Sequence, residues 1–387
     1  MIAAALGTDP VRIAQAVGAA VAGPAAESVD QDARFPAEAF AALRDERMLG
    51  AMVPQELGGR GATFGEIAAV CQELGRHCSS TAMVYAMHQI QVGCLIRHGR
   101  TAPFLRDYLT ELTAKELLLA SATTEQGVGG DVRTSICAID QQGSRFRLIK
   151  QAPVISYGEH ADGILATARR SPDAAGNDQV LALLTRRDFK LTETSGWDSL
   201  GMRGTMSLGY TLTADAPIEQ VLPTPYGEMS SQTMLPFSHI LWSSLWLGIA
   251  TDAVNRGRGF VRSEARKKPG TVPPSALRLA EVVARLQTMR AVVQGGIADF
   301  ERNMDDVEVL SGLGFALRMN NLKITSSTAA ADVVRDTLGV IGLFGYKNDS
   351  KYSVGRHLRD AHSAALMIAN DRIYSANASM LLIHKDD

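Results

Sequence analysis

The sequence predicts an α+β fold in which helical segments open and close the chain and a small β module lies between them. Three observations predict it. From Ala37 to about Glu116, Ala, Leu, Met, Glu and Arg dominate, and apolar residues recur at three- and four-residue spacing, the period of one helix face. From about Leu118 to Pro225, short β-rich runs are separated by Gly, Asp, Asn and Pro, and after Met229 the helical period returns. The boundaries fall at 1–117, 118–227 and 228–387, with no internal repeat and no low-complexity linker, so the three parts pack as one unit.

Taken in order, the alanine-rich stretch Met1 to Pro24 carries Asp9 and Arg12 and lacks a basic start followed by an apolar run, so it is not read as a signal peptide. One turn-rich segment, Val53 to Gly61, interrupts the first helical part. In the β module, Arg145 to Ile149 and Gly163 to Thr167 read as strands. Later, Pro273-Pro274-Ser275 marks a helix start, and Leu279, Val282, Val283, Leu286, Met289 and Val293 follow on one face, which reads as core.

Bulk numbers exclude several classes. The 387 residues are 46% hydrophobic and 21% charged, enough for substantial cores. A net charge of −2, from 39 basic and 41 acidic side chains with no basic stripe, excludes nucleic acid as a partner. No run reaches the roughly 18 apolar residues of a membrane span. Cys71, Cys78, Cys94 and Cys137 match neither a zinc site nor a disulfide framework, so a cytoplasmic protein with reduced thiols and no metal is expected.

Thr124-Glu125-Gln126-Gly127-Val128-Gly129-Gly130-Asp131 is rich in glycine, which lets backbone N–H groups approach a ligand, while a Thr hydroxyl can donate to a ligand carbonyl; a plain surface turn is the alternative reading. This segment is similar to the "TEPgaGSD" loop of the acyl-CoA dehydrogenase superfamily. Other segments resemble that family in the right order: Val53 to Gly61, Ser80 to Gly99 with His88, Val154-Ile155-Ser156-Tyr157-Gly158, Trp197 to Thr205, Arg266 to Gly270, and Gly342 to Tyr346 followed by Arg359-Asp360-Ala361.

The resemblance implies an N-terminal helical domain, a central small β-barrel or sandwich and a C-terminal four-helix bundle. It implies FAD, held by Ser121, Thr123, Thr124, Gly129, Gly130, Ile155, Ser156, Arg266, Gly339, Gly342 and Asn370, with Ser156 near flavin N5. It places His88, Asp131, Met202 and Arg203 at the substrate. It also implies an acyl-CoA or acyl-carrier-protein substrate, an electron-accepting flavoprotein or oxygen, and a homo-oligomer, dimer or tetramer, in which the neighbouring chain holds the adenine half of FAD. Pro269, Gly339 and Leu343 depart from the adenine-side pattern, which leaves FMN, or a reduced flavin delivered by a reductase, as the alternative.

The catalytic carboxylate is missing from both family positions, since an ungapped match puts Ile368 at one and Ser238 at the other. His239 and Asp371 are the candidate replacement bases. Three readings follow: an acyl-thioester dehydrogenase with an unconventional base, placed first; a flavin-dependent monooxygenase, which needs no such base; and a non-catalytic flavin-binding homologue.

Overall fold

The computed structural model describes residues 9–129 and 132–385. Helix α1 (Pro10–Val17) starts where the Asp9 carboxylate caps the N–H groups of Val11 and Arg12. The helical part therefore begins well before Ala37. A π-helical turn, Gly18–Ala22, joins α1 to α2 (Gly23–Gln31), and α3 (Ala37–Asp45) follows. The segment from Val53 to Gly61 forms one 3₁₀ turn, with Gly58 (φ 85°) and Gly61 (φ 67°) in the left-handed region. Helix α4 (Phe64–His77) opens with a capping box, Thr63 to Glu66. Helix α5 (Ser79–His98) is buried on nearly every side, and α6 (Pro103–Lys115) closes the helical part.

The β module runs β1 (Leu119–Ala122), β2 (Asp140–Gln142), β3 (Arg145–Ser156), β4 (Gly163–Arg169), β5 (Gln179–Thr185), β6 (Phe189–Ser195) and β7 (Ser207–Pro217). It consists of two sheets, a mixed β1-β4-β5 and an antiparallel β2-β3-β7-β6. Strand β3 alternates outward Arg145, Arg147, Ile149 and Gln151 with inward Phe146, Leu148, Lys150 and Ala152. A register shift between Ala152 and Ile155 interrupts this, turning both Pro153 and Val154 outward, Ile155 inward and Ser156 partly outward.

Helix α7 (Tyr226–Met229) continues through a π-helical turn into α8 (Leu235–Lys267), followed by α9 (Ser275–Asn303), α10 (Val307–Ser311) and α11 (Leu313–Ile341). On α9, Val282, Leu286, Met289 and Val293 are buried, with Leu279 and Val283 half-buried beside them. Three long helices make the C-terminal layer of the expected helical bundle, and the short α12 (Leu343–Tyr346), α13 (Gly355–His362) and α14 (Asn370–Leu381) pack on α8 and α11. All four cysteines are buried and unbridged. Among the described residues, no helix is long and apolar enough to cross a membrane.

Candidate functional site

The end of β3 gathers hydroxyls. Ser156 Oγ lies 2.8 Å from Ser207 Oγ, Ser207 Oγ lies 2.8 Å from Thr205 Oγ1, and Thr205 donates to the Met202 carbonyl at 2.8 Å. The next residue, Tyr157, takes a left-handed φ of 43° and is held by its N–H on the Thr205 carbonyl and its hydroxyl on the Leu119 carbonyl, which fixes where Ser156 faces.

Thr124 approaches the same strand end. Its hydroxyl donates to the Val154 carbonyl at 3.0 Å, so the proton expected for a ligand carbonyl is already spent on β3. Val154 and Ser156 are two residues apart, which places Thr124 and Ser156 along about 7 Å of strand edge. Ile155 between them is fully buried and can meet a ligand only through its backbone. Ser121 and Thr123 are half-buried on and after β1. Gly129 has φ 60° and open space where a Cβ would stand; Gly130 and Asp131 lie outside the described residues.

Beneath this loop is a buried hub that was not singled out in the sequence. Glu125 accepts the Ser135 hydroxyl at 2.6 Å, the N–H groups of Ile136 and Cys137 at 3.1 and 2.6 Å, and the Lys150 ammonium at 3.2 Å. Burial works to raise its carboxyl, but the Ser135 hydroxyl, the Lys150 charge and the two N–H groups outweigh it and hold it below the usual range. Lys150 itself donates onward to the Thr167 carbonyl at 2.9 Å, so it ties one sheet to the other.

Of the two candidate bases, His239 is closed off by the geometry. His239 is buried with Nε2 on Asn320 Oδ1 at 3.2 Å; burial, then the Lys323 charge, push it down to about 3 against the Asn320 bond. Asp371 is exposed in the first turn of α14. Ile368 is left-handed (φ 49°), and its carbonyl accepts from Lys323 Nζ at 2.8 Å. The same ammonium donates to Asn370 Oδ1 at 2.7 Å, and Asn370 Nδ2 donates to Ser327, so this amide is spent inside the bundle rather than offered to a cofactor. Burial pushes Lys323 down to about 8, and the sequence reading missed it. A lysine among the buried side chains of α11, Leu322, Ile324 and Ser326 included, was the available signal.

Three substrate candidates are likewise structural. His88 is fully buried; Nε2–H donates to the Leu49 carbonyl at 2.9 Å and Nδ1 accepts the Leu119 N–H at 3.0 Å, and burial pushes it down to about 4. The Met202 side chain is buried and its N–H donates to Asp360 at 2.7 Å. Arg203 is committed to the Asp30 and Ser199 carbonyls and the Asp198 carboxylate, at 2.8 to 2.9 Å.

Arg266, Gly339 and Gly342 lie exposed at the C-terminal ends of α8 and α11, which run side by side where Gly257 meets Thr337. Along α8, Arg266 is about 40 Å from His239. The positions expected to hold a cofactor thus fall in two groups, the β3 edge with its glycine loop and the exposed bundle end. An open glycine loop beside an exposed strand edge with an outward hydroxyl fits a flat, polar-edged ring carrying a phosphate tail.

A family model for the acyl-CoA dehydrogenase N-terminal domain matches residues 12–116. The chain is 25% identical to the amino sugar nitrososynthase DnmZ of Streptomyces peucetius, over 87% of this chain and 84% of that one. It is 23% identical to the probable acyl-CoA dehydrogenase FadE25 of Mycobacterium tuberculosis, over 93% and 91%. In fold it is similar to FMN-bound TdsC from Paenibacillus sp. A11-2 (TM-score 0.84, 17% identity, 98% of each chain). It is also similar to butyryl-CoA dehydrogenase from Megasphaera elsdenii (TM-score 0.82, 18% identity, 97% of each chain).

Proposed function

The chain belongs to the acyl-CoA dehydrogenase superfamily, and on that premise we propose that it is a flavin-dependent monooxygenase rather than a desaturase of acyl thioesters. One observation carries the choice. Desaturation needs a positioned base for the α-proton, whereas Ile368 and Ser238 occupy the two family positions and His239 is sealed in the bundle. Oxygen transfer does not ask for that base. The likeness to a nitrososynthase, and to TdsC, which is described as a dibenzothiophene monooxygenase, supports this reading. The comparable identity to FadE25 keeps desaturation as the second one.

When bound, the flavin supplies two electrons and the place where oxygen is activated. The chain's own residues bind and orient it. Gly127 and Gly129, both left-handed, let backbone N–H groups face a phosphate, and the hub under Glu125 holds that loop against both sheets. Val154 and Ser156 offer the strand edge for the ring, and Ser156 supplies a side-chain hydrogen bond. Lys323 holds Ile368 in the loop before α14, so that an aliphatic side chain stands where the family's carboxylate would.

Arg266, Gly339 and Gly342 would serve the flavin of a neighbouring chain, so a homo-oligomer with FAD uses all the ligand-facing positions; FMN uses only those of the β module. Electrons come from a reductase or another flavoprotein, and oxygen is the second substrate.

The spectrum of the purified protein and the mass of any released flavin identify the cofactor. With reduced flavin and a panel of aromatic, amine and sulfide substrates, the reading expects oxygen uptake matched by product bearing an atom from O₂. Bleaching of bound flavin by an acyl thioester under argon, with no oxygen uptake, would replace it by desaturation. A colourless protein that takes up no added flavin would replace both by a non-catalytic role.

A further inference from the structure

The three hydroxyls at the end of β3 have a fixed proton direction. A carbonyl has no proton to give, so the 2.8 Å bond between Thr205 Oγ1 and the Met202 carbonyl consumes the one proton of Thr205. The 2.8 Å contact between Thr205 and Ser207 then requires the Ser207 proton, because Thr205 has only lone pairs left. With Ser207 spent, its 2.8 Å contact to Ser156 requires the Ser156 proton. The chain runs Ser156 to Ser207 to Thr205 to the carbonyl, and every proton points inward. Thr205 and Ser207 are buried, whereas Ser156 is the half-exposed end. What Ser156 presents outward is therefore a pair of lone pairs and no donor.

That polarity discriminates between the two redox states of a flavin. N5 of the oxidised ring is a bare acceptor, and N5 of the two-electron-reduced ring carries a proton. We infer that the Ser156–Ser207–Thr205 chain makes this site select reduced flavin, with Ser156 accepting from N5–H, and that Ser207 and Thr205 are the positioning residues that set the preference. The inference rests on the reading that Ser156 faces N5.

An acceptor facing a bare acceptor loses a hydrogen bond and leaves lone pairs opposed, which corresponds to about tenfold or more in affinity. The test is an argon titration of the full-length protein with FMN and with FAD, each oxidised and reduced, reading the ratio of the two dissociation constants. Wild type should bind the reduced form about tenfold or more tightly. Ser207→Ala removes the acceptor for the Ser156 proton and frees it to point outward, so oxidised flavin should tighten and the ratio should fall toward one. Thr205→Val, one step further from the ligand, lets Ser207 donate to Ser156 instead and should move the ratio the same way. Ser207→Thr keeps a hydroxyl and should keep the preference.

A merely structural role would change both constants together and leave their ratio alone. Equal affinity for both redox states in wild type, or an unchanged ratio in folded Ser207→Ala and Thr205→Val proteins, would overturn the inference. Wild-type protein that takes up neither form overturns the flavin reading itself, and this inference with it.

Discussion

His88 and His239 are fully buried and neutral, and their protonation belongs to the unfolded chain. His88 is pushed from 6.5 down to about 4, and His239 down to about 3, burial being the main cause in each. Below pH 6.5 the unfolded state binds protons at both that the folded state refuses, so stability is full at neutral pH and falls as pH drops from 6.5 toward 4. By pH 5 each costs about 2 kcal/mol. Denaturant titrations at pH 7 and pH 5 should show this loss, and His239→Asn should flatten the slope by about one proton; a stability unchanged between the two pH values would contradict it. The motif around His88 suggested a ligand contact because the motif is local. Its partners, Leu49 and Leu119, are 39 and 31 residues away in sequence, so nothing near His88 announces that both nitrogens end on backbone.

At the scale of elements, the glycine loop was legible and its foundation was not. Glu125 stood inside the recognised segment, yet its partner Lys150 is visible only through the alternation of β3, which puts this lysine on the inward side with Phe146 and Leu148. A charged residue at an inward position is the signal that leads to the hub. Lys150→Met strands the Glu125 carboxylate among its remaining donors and should cost about 3–5 kcal/mol. Pairing it with Glu125→Gln removes the stranded charge and leaves an amide oxygen for the Ser135 hydroxyl and the Ile136 N–H, losing only the Cys137 N–H that the second carboxylate oxygen accepts, so the double variant should be more stable than Lys150→Met alone. Chemical denaturation of the two variants decides it. If the double variant is the less stable, the ion pair is not what holds the loop base. The same limit explains Asn370, whose matched position pointed to a cofactor until Lys323 and Ser327, more than 40 residues earlier, claimed its amide.

The order helices, β module, helices was readable from periodicity because each part is long enough for its repeat to show. What the sequence left out is how surfaces of the whole molecule meet others. Directly after Gly342, the short α12 exposes Leu343 at 71%, Phe344 at 55% and Tyr346 at 74%, three large apolar side chains on one turn. Such a patch beside Arg266 and Gly339 costs solvation in a free chain and becomes favourable when another chain covers it. We propose that it is the contact through which neighbouring chains complete each other's flavin site. Light scattering should return a multiple of the 41.4 kDa chain mass. The paired change Leu343→Asp and Phe344→Asp places two charges in the contact and should lower that multiple. FAD retention should fall with the assembly state while FMN binding, which needs only the β module, holds within about threefold. Arg266→Ala should reproduce the loss of FAD without the loss of mass. A wild-type protein that scatters as a single 41.4 kDa chain yet keeps FAD through gel filtration would show that the adenine half is held within one chain, and α12 would need another explanation.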